Sequence, residues 1–125
     1  METDTFTYDS PDLGKEVRLM NLVARFRPKA KERILFGAHW DSRPWADKDP
    51  NPAVRTRPIL GANDGASGVA VLLEVARVLR RTGTPIGVDL VLFDGGIWAR
   101  RRIRTDSSVA PHVTWSGWAR SVRYS

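Results

Sequence analysis

Three side chains in the first half of the sequence have the chemistry of metal ligands. His39 lies in the cluster Gly37-Ala38-His39-Trp40-Asp41-Ser42 with Asp41, and Asp64 lies in Gly61-Ala62-Asn63-Asp64-Gly65-Ala66-Ser67-Gly68. Imidazole nitrogen and carboxylate oxygen are donors that zinc accepts. The chain has no cysteine, so disulfides and thiolate ligands are excluded and any metal must be held by His, Asp or Glu. Each residue also has a plainer role. A histidine at a strand end is commonly just hydrogen-bonded, and an aspartate before a helix is commonly an N-cap. Trp40 and Trp45 could line a substrate pocket, but core packing or loop anchoring would use the same rings.

The elements that must position these groups can be read from periodicity. Thr3 to Tyr8 is β-prone, and Ser10-Pro11-Asp12-Leu13-Gly14 is a turn by composition. Val17 to Phe26 alternates, and the face carrying Met20, Leu22, Ala24 and Phe26 is the better core candidate. Ile34 to Ala38 is a short buried strand, so the first three strands are expected to form an antiparallel meander. Arg43 to Pro58 contains four prolines and no period, which predicts a long loop. Val69, Leu72, Leu73, Ala76 and Leu79 recur at helical spacing, with Arg77, Arg80 and Arg81 at the end favoured by the helix dipole and Gly83 closing it. Val88 to Phe93 is a buried strand, completing a β-α-β crossover. The fold class is therefore α/β with a mixed β-sheet. Both polar clusters fall at element ends, and in open α/β sheets ligands collect at the carboxyl ends of strands.

A length of 125 residues suits one domain. No apolar run is long enough to span a bilayer, and Met1-Glu2-Thr3-Asp4 lacks the basic and apolar regions of a signal peptide. The net charge of +6 is unevenly distributed: residues 1–96 balance to +1, whereas residues 97–125 hold 6 Arg against Asp106 alone. The same tail carries three of the five Trp. This shift divides the chain into 1–95 and a basic tail, 96–125. Arg and Trp could contact phosphates and stack on bases, but such charge runs are commonly solvated, so a nucleic-acid partner is not expected.

Three ordered stretches resemble bacterial glutaminyl-peptide cyclotransferases, a branch of the zinc aminopeptidase superfamily. They are Arg33 to Asp47, Pro58 to Ala70 and Leu90 to Gly95, and the resemblance runs from about Thr3 to Gly95. It implies a truncated zinc-aminopeptidase-like fold, often exported or periplasmic in the family. Asp64 would be the central metal ligand, one of three around a single zinc in the cyclotransferases and a bridge between two zincs in the aminopeptidases. His39 matches a ligand of the second zinc in the aminopeptidase branch and is usually a non-ligand in the cyclotransferases. Asp41 would fix the His39 ring. The implied reaction converts an N-terminal Gln to pyroglutamate with release of ammonia, using zinc to polarise the carboxamide and a Glu to transfer the proton. The alternative is a metallo-aminopeptidase acting on peptides.

The departure follows Asp94-Gly95. The family continues with Glu and then Glu or Asp, the acid/base and a metal ligand, whereas this chain reads Gly96-Ile97-Trp98-Ala99. His112 comes too early to stand for the family's distal metal-binding His. Codons for Gly-Glu-Asp-Leu-Gly, written GGN-GAG-GAT-CTG-GGC, become Gly-Gly-Ile-Trp-Ala on losing one A, which is the sequence from Gly95 to Ala99. The tail is accordingly read as an out-of-register translation, and an inactive chain with incomplete zinc binding is expected. Without later strands, Val88 to Phe93 is expected to be left as an exposed apolar edge. Resequencing the coding DNA tests the reading, which fails if the alternative frame encodes no Glu-Asp pair.

Overall fold

The computed structural model describes residues 1–10 and 13–95. The tail 96–125, with Gly96 at the acid/base position and His112, lies outside the described residues. The elements in chain order are β1 (Glu2–Ser10), β2 (Lys15–Phe26), β3 (Arg33–His39), the 3-10 turn η1 (Pro52–Val54), α1 (Ala66–Thr82) and β4 (Gly87–Phe93).

The four strands form one mixed sheet in the order β1-β2-β4-β3. β1 and β2 form an antiparallel hairpin, Glu2 opposite Val23 and Ser10 opposite Lys15. β3 and β4 are parallel neighbours, Arg33 opposite Gly87 and His39 opposite Phe93, joined through α1 as the crossover reading required. The three-strand meander is corrected, because β4 lies between β2 and β3 and pairs antiparallel with β2. The reason is solvation. Residues 87–91 are buried at every successive position, so both faces and both edges of β4 need cover, and an interior slot supplies it. The expectation that Val88 to Phe93 would be the bare edge fails for the same reason. That edge is β3.

One face of the sheet packs on α1. Leu72, Val88 and Leu90 form the buried cluster, with Ala24, Phe26, Ala38, Val75, Ala76 and Leu79 among the side chains against it. Burying each of these three stabilises the fold by about 1.5–3 kcal/mol. The helix ends at Gly83, whose N–H donates to the Leu79 carbonyl at 2.9 Å. Two sequence expectations about faces need correction. Leu73, assigned to the buried stripe, is largely exposed. In β2 the most buried residues are Leu19 and Val23, on the face opposite the one favoured from alternation, although Ala24 and Phe26 do meet the helix side. A strand inside a sheet is apolar toward both sides, and alternation alone cannot rank them.

Asp89 interrupts the apolar run of β4 and is buried. Arg33 holds it with both prongs of its guanidinium, Nε donating to Oδ2 at 2.9 Å and Nη2 to Oδ1. The same arginine donates through Nη1 to the Arg27 carbonyl at 2.8 Å. The hydrogen bonds that Arg33 donates to Asp89 hold its guanidinium above its ordinary pKa, outweighing the lowering by burial.

Candidate metal-binding site

The carboxyl ends of β3 and β4 meet the start of α1, and all three candidate ligands gather there. The first residue beyond β3 stays anchored, since Trp40 N–H donates to the Phe93 carbonyl at 2.9 Å and its indole Nε1 donates to the Met20 carbonyl at 3.1 Å. Asp94 is clasped by β2. Its Oδ2 accepts from Met20 N–H at 2.9 Å, and its own N–H donates to Asn21 Oδ1 at 3.0 Å. Side chains thus extend the β2–β4 ladder past its last backbone pair.

The loop before α1 is pressed against the end of β3 and the residues that follow it at two glycines. Gly65 has φ +110°, and a Cβ there would lie 2.9 Å from the Asp41 carbonyl oxygen and 3.5 Å from His39 Cε1. Gly61 has φ +64°, and a Cβ there would lie 2.9 Å from Ser42 Cβ. Side chains at either position would combine backbone strain with a clash. Their absence lets Asp64 reach His39.

His39 Nε2 lies 3.2 Å from Asp64 Oδ1. The other ring nitrogen, Nδ1, lies 3.0 Å from the Asp41 backbone carbonyl and 3.4 Å from Asp41 Oδ1. A carbonyl oxygen can only accept, so Nδ1 carries a hydrogen, and Nε2 is the nitrogen that faces Asp64. An unprotonated Nε2 and an ionised carboxylate oxygen are both acceptors. At this separation they need a cation between them, either a proton on Nε2 or a metal ion. Exposure grades outward, from 6% for the Asp41 side chain through 34% for His39 to 60% for Asp64. The buried member orients the ring and the outer pair faces solvent.

Asp64 is not the helix cap. The N-cap is Gly65, no side chain caps the helix, and the first turn holds no acid. The plain reading of Asp64 is therefore corrected, and its carboxylate is left for His39. Trp40 lines a shallow cavity of about 330 Å³ with Leu60, Asp64, Val69 and Leu73. Trp45 is half-buried and is not among the residues lining that cavity. The preceding loop is internally tied rather than structureless: Ala46 N–H donates to Arg57 O at 2.9 Å, and Asn51 Oδ1 caps the 3-10 turn by accepting from Ala53 N–H at 3.1 Å. Sequence reasoning missed the Asn21–Asp94 clasp and the Arg33–Asp89 pair. The only signal was polar residues inside strand patterns, Asn21 and Asp89.

A profile of peptidase family M28 matches residues 21–95. The chain belongs to this family. Among solved structures it is similar to a glutaminyl cyclase of Tannerella forsythia, 40% identical with TM-score 0.70, covering 74% of this chain and 31% of that one. It is also similar to a Zn-dependent exopeptidase of Parabacteroides distasonis, 37% identical with TM-score 0.67, covering 74% and 32%. A curated relative is the glutaminyl-peptide cyclotransferase of Bos taurus, 27% identical over 105 residues, which cover 76% of this chain and 27% of that protein. The chain spans about a fifth to a third of the relatives it matches.

The zinc dependence of the Parabacteroides distasonis exopeptidase raises the question of whether the residues present here suit that metal. Zinc bonds of about 2.0–2.2 Å at tetrahedral angles place neighbouring N and O donors roughly 3.3 Å apart, close to the His39–Asp64 separation. The hydrogen bond at Nδ1 is the orientation that metal-bound imidazoles adopt. Two donors fit. Among the described residues, however, no group of three or more His, Cys, Asp or Glu is placed to hold a metal ion. No described helix is long and apolar enough to cross a membrane.

Proposed function

We propose that Asp64 is the central metal donor of a zinc-dependent glutaminyl-cyclase-like site, that His39 stands at the position of a second-zinc donor with Asp41 orienting its ring, and that the chain with this sequence does not turn over substrate. One observation supports the metal reading: Nε2 and Oδ1 face each other at 3.2 Å, the spacing of neighbouring donors on one zinc, with the ring's other nitrogen committed to a carbonyl. Bound zinc would polarise the carboxamide of an N-terminal Gln on a peptide substrate. What these residues do is narrower: Asp41 sets the ring, the glycine-rich loop delivers Asp64, and Trp40 with Leu60 and Leu73 forms an apolar wall beside it.

The inactivity rests on Gly96-Ile97, which supply neither proton-transfer group nor ligand at the position following Asp94-Gly95. A missing proton-transfer group typically costs roughly 10²–10⁴-fold in rate. We propose the division into residues 1–95 and an out-of-register tail on the same ground. A second reading, a two-zinc aminopeptidase shell, is favoured by His39 itself, whose Nε2 faces Asp64 as a ligand would.

The deciding experiment incubates the purified chain with zinc, or with a chelator, and follows ammonia from a Gln-led peptide and leucine from leucine amide. Neither is expected above background. Chelator-sensitive ammonia release would end the inactivity proposal, and leucine release would favour the second reading. Nitrogen NMR of His39 tests the metal separately: zinc should shift Nε2, and loss of this response in Asp64→Asn is expected. An unmoved Nε2 at millimolar zinc would remove His39 from the ligand set.

A further inference from the structure

We infer that the Asp64-Gly65 peptide is a self-modification site, at which the chain closes a succinimide ring and reopens it as isoaspartate. The sequence holds two Asp-Gly peptides, Asp64-Gly65 and Asp94-Gly95. A following glycine favours this chemistry, because no Cβ obstructs the approach of its nitrogen and its backbone is free to turn. The structure treats the two peptides oppositely.

At Asp94 both carboxylate oxygens are committed to backbone N–H groups. Oδ2 accepts from Met20 at 2.9 Å, and Oδ1 accepts from Gly95 itself at 2.9 Å. Ring closure uses the electrons above and below the amide plane, whereas this second bond holds the carboxyl group along the N–H direction. Hydrogen bonds to an ionised acceptor are the strong ones, and the Asn21 side chain fixes the same residue to β2. At Asp64 the carboxylate is not committed to the helix start, since no side chain caps α1. Among the described residues its polar contact is a single one, from Oδ1 to His39 Nε2 at 3.2 Å. Asp64 lies in a turn, and Gly65 stands at φ +110°. No open surface is required, because both reacting atoms belong to one peptide and the only other reactant is water.

In the acid form of Asp64, the Gly65 nitrogen bonds to Cγ, and the carboxyl hydroxyl leaves with the nitrogen's hydrogen as water. The ring then takes up water at either carbonyl. Opening at the side-chain carbonyl restores aspartate, and opening at the main-chain carbonyl gives isoaspartate of unchanged mass. The main chain then gains a methylene ahead of Gly65, and the carboxylate loses that much reach toward His39. Gly65 has no room to shift toward Asp41, whose carbonyl oxygen would lie 2.9 Å from a Cβ there. The modification therefore retires the site. This consequence rests on the proposed metal role, under which zinc on Asp64 would also slow ring closure.

Ageing the full chain at neutral pH, folded and in urea, tests the inference. Trypsin releases residues 56–77 and 82–100 as reporters of the two peptides. Enzymatic carboxyl methylation and chromatography of equal-mass forms then measure isoaspartate in each. In the folded chain it should accumulate several-fold faster in 56–77 than in 82–100, and in urea the two rates should converge. Asp64→Glu would have to close a larger, less favoured ring and should lose the signal from 56–77. Equal or reversed rates in the folded chain overturn the proposal, as does isoaspartate that persists in 56–77 of Asp64→Glu. Should that variant fail to fold, the two peptides of the unsubstituted chain decide alone. Slower accumulation at Asp64 in zinc supports both claims. Faster modification at Asp64 than at Asp94 that zinc leaves unchanged upholds the modification and counts against the metal alone.

Discussion

The parallel pair β3–β4 carries a charged cluster at each of its ends, and the two are built to opposite rules. At the amino end Arg33 grips Asp89 with side-chain exposures of 12% and 4%, and a third guanidinium nitrogen reaches the Arg27 carbonyl. At the carboxyl end His39 meets Asp64 through one contact, with Asp64 mostly in solvent. The first cluster is satisfied within the chain. The second joins a single imidazole nitrogen to a single carboxylate oxygen and leaves the outer carboxylate in solvent. A charge pair that is closed on itself locks register, whereas one left open keeps donors free for chemistry.

Breaking the closed end should produce the largest effect. Asp89→Ala leaves the Arg33 guanidinium without its carboxylate in a site only 12% exposed. Removing one partner of a buried pair typically costs about 3–5 kcal/mol, against a total of roughly 5–15 kcal/mol for a domain. Urea unfolding followed by far-UV circular dichroism should show the midpoint falling steeply or a chain already unfolded. A loss under about 1 kcal/mol would mean that the pair does not organise this end.

A smaller loss is expected where the carboxyl end is held by neutral groups. Asn21→Ala removes the acceptor for the part-buried Asp94 N–H and half of the clasp that carries the ladder past Leu22–Leu92. One hydrogen bond contributes about 0.5–1.5 kcal/mol, and an orphaned donor costs up to about 3. Faster amide exchange at Asp94 and Met20 than at Val91 would locate the change. Uniform loss across the sheet would contradict a local clasp.

The contrast also explains what could be read from sequence. The helix and the crossover were legible because periodicity is a local signal, and the gathering of His39, Asp41 and Asp64 because both polar clusters fall at element ends and carry the family resemblance. Strand order was not. Consecutive strands suggested a meander, and only the cover that β4 needs on both sides places it between β2 and β3. Asp89 and Asn21 were opaque because each is satisfied by a residue far along the chain, Arg33 or Asp94. Asp64 looked like a cap because its neighbours resemble a helix start, yet the turn begins one residue later at Gly65.

At the open end, substitution should barely touch stability while removing the response to metal. Asp64→Asn replaces an exposed carboxylate and should change unfolding free energy by less than about 0.5 kcal/mol. Millimolar zinc should stabilise the unsubstituted chain by no more than about 1.4 kcal/mol, the value for free metal at roughly ten times the dissociation constant. The variant should show no gain. A much larger zinc stabilisation would mean that further donors complete the site, and an equal gain in Asp64→Asn would move the metal elsewhere.

The smallest effect sharpens the comparison from outside both ends. Glu74 and Arg77 pair on the exposed surface of α1, Nε and Nη2 each 2.7 Å from a carboxylate oxygen. The hydrogen bonds from Arg77 lower the Glu74 pKa. A carboxylate whose folded pKa is depressed contributes stability above its unfolded pKa, and this is lost as pH falls through the lower folded value. The window therefore opens just below the ordinary glutamate range. Because the pair is fully exposed and screened, Glu74→Gln should leave the unfolding midpoint at pH 7 nearly unchanged, and 1 M salt should erase any residual difference. A midpoint shift that persists in high salt would show the helix surface contributing as the closed end of the sheet does, and exposure would no longer separate structural charge pairs from idle ones.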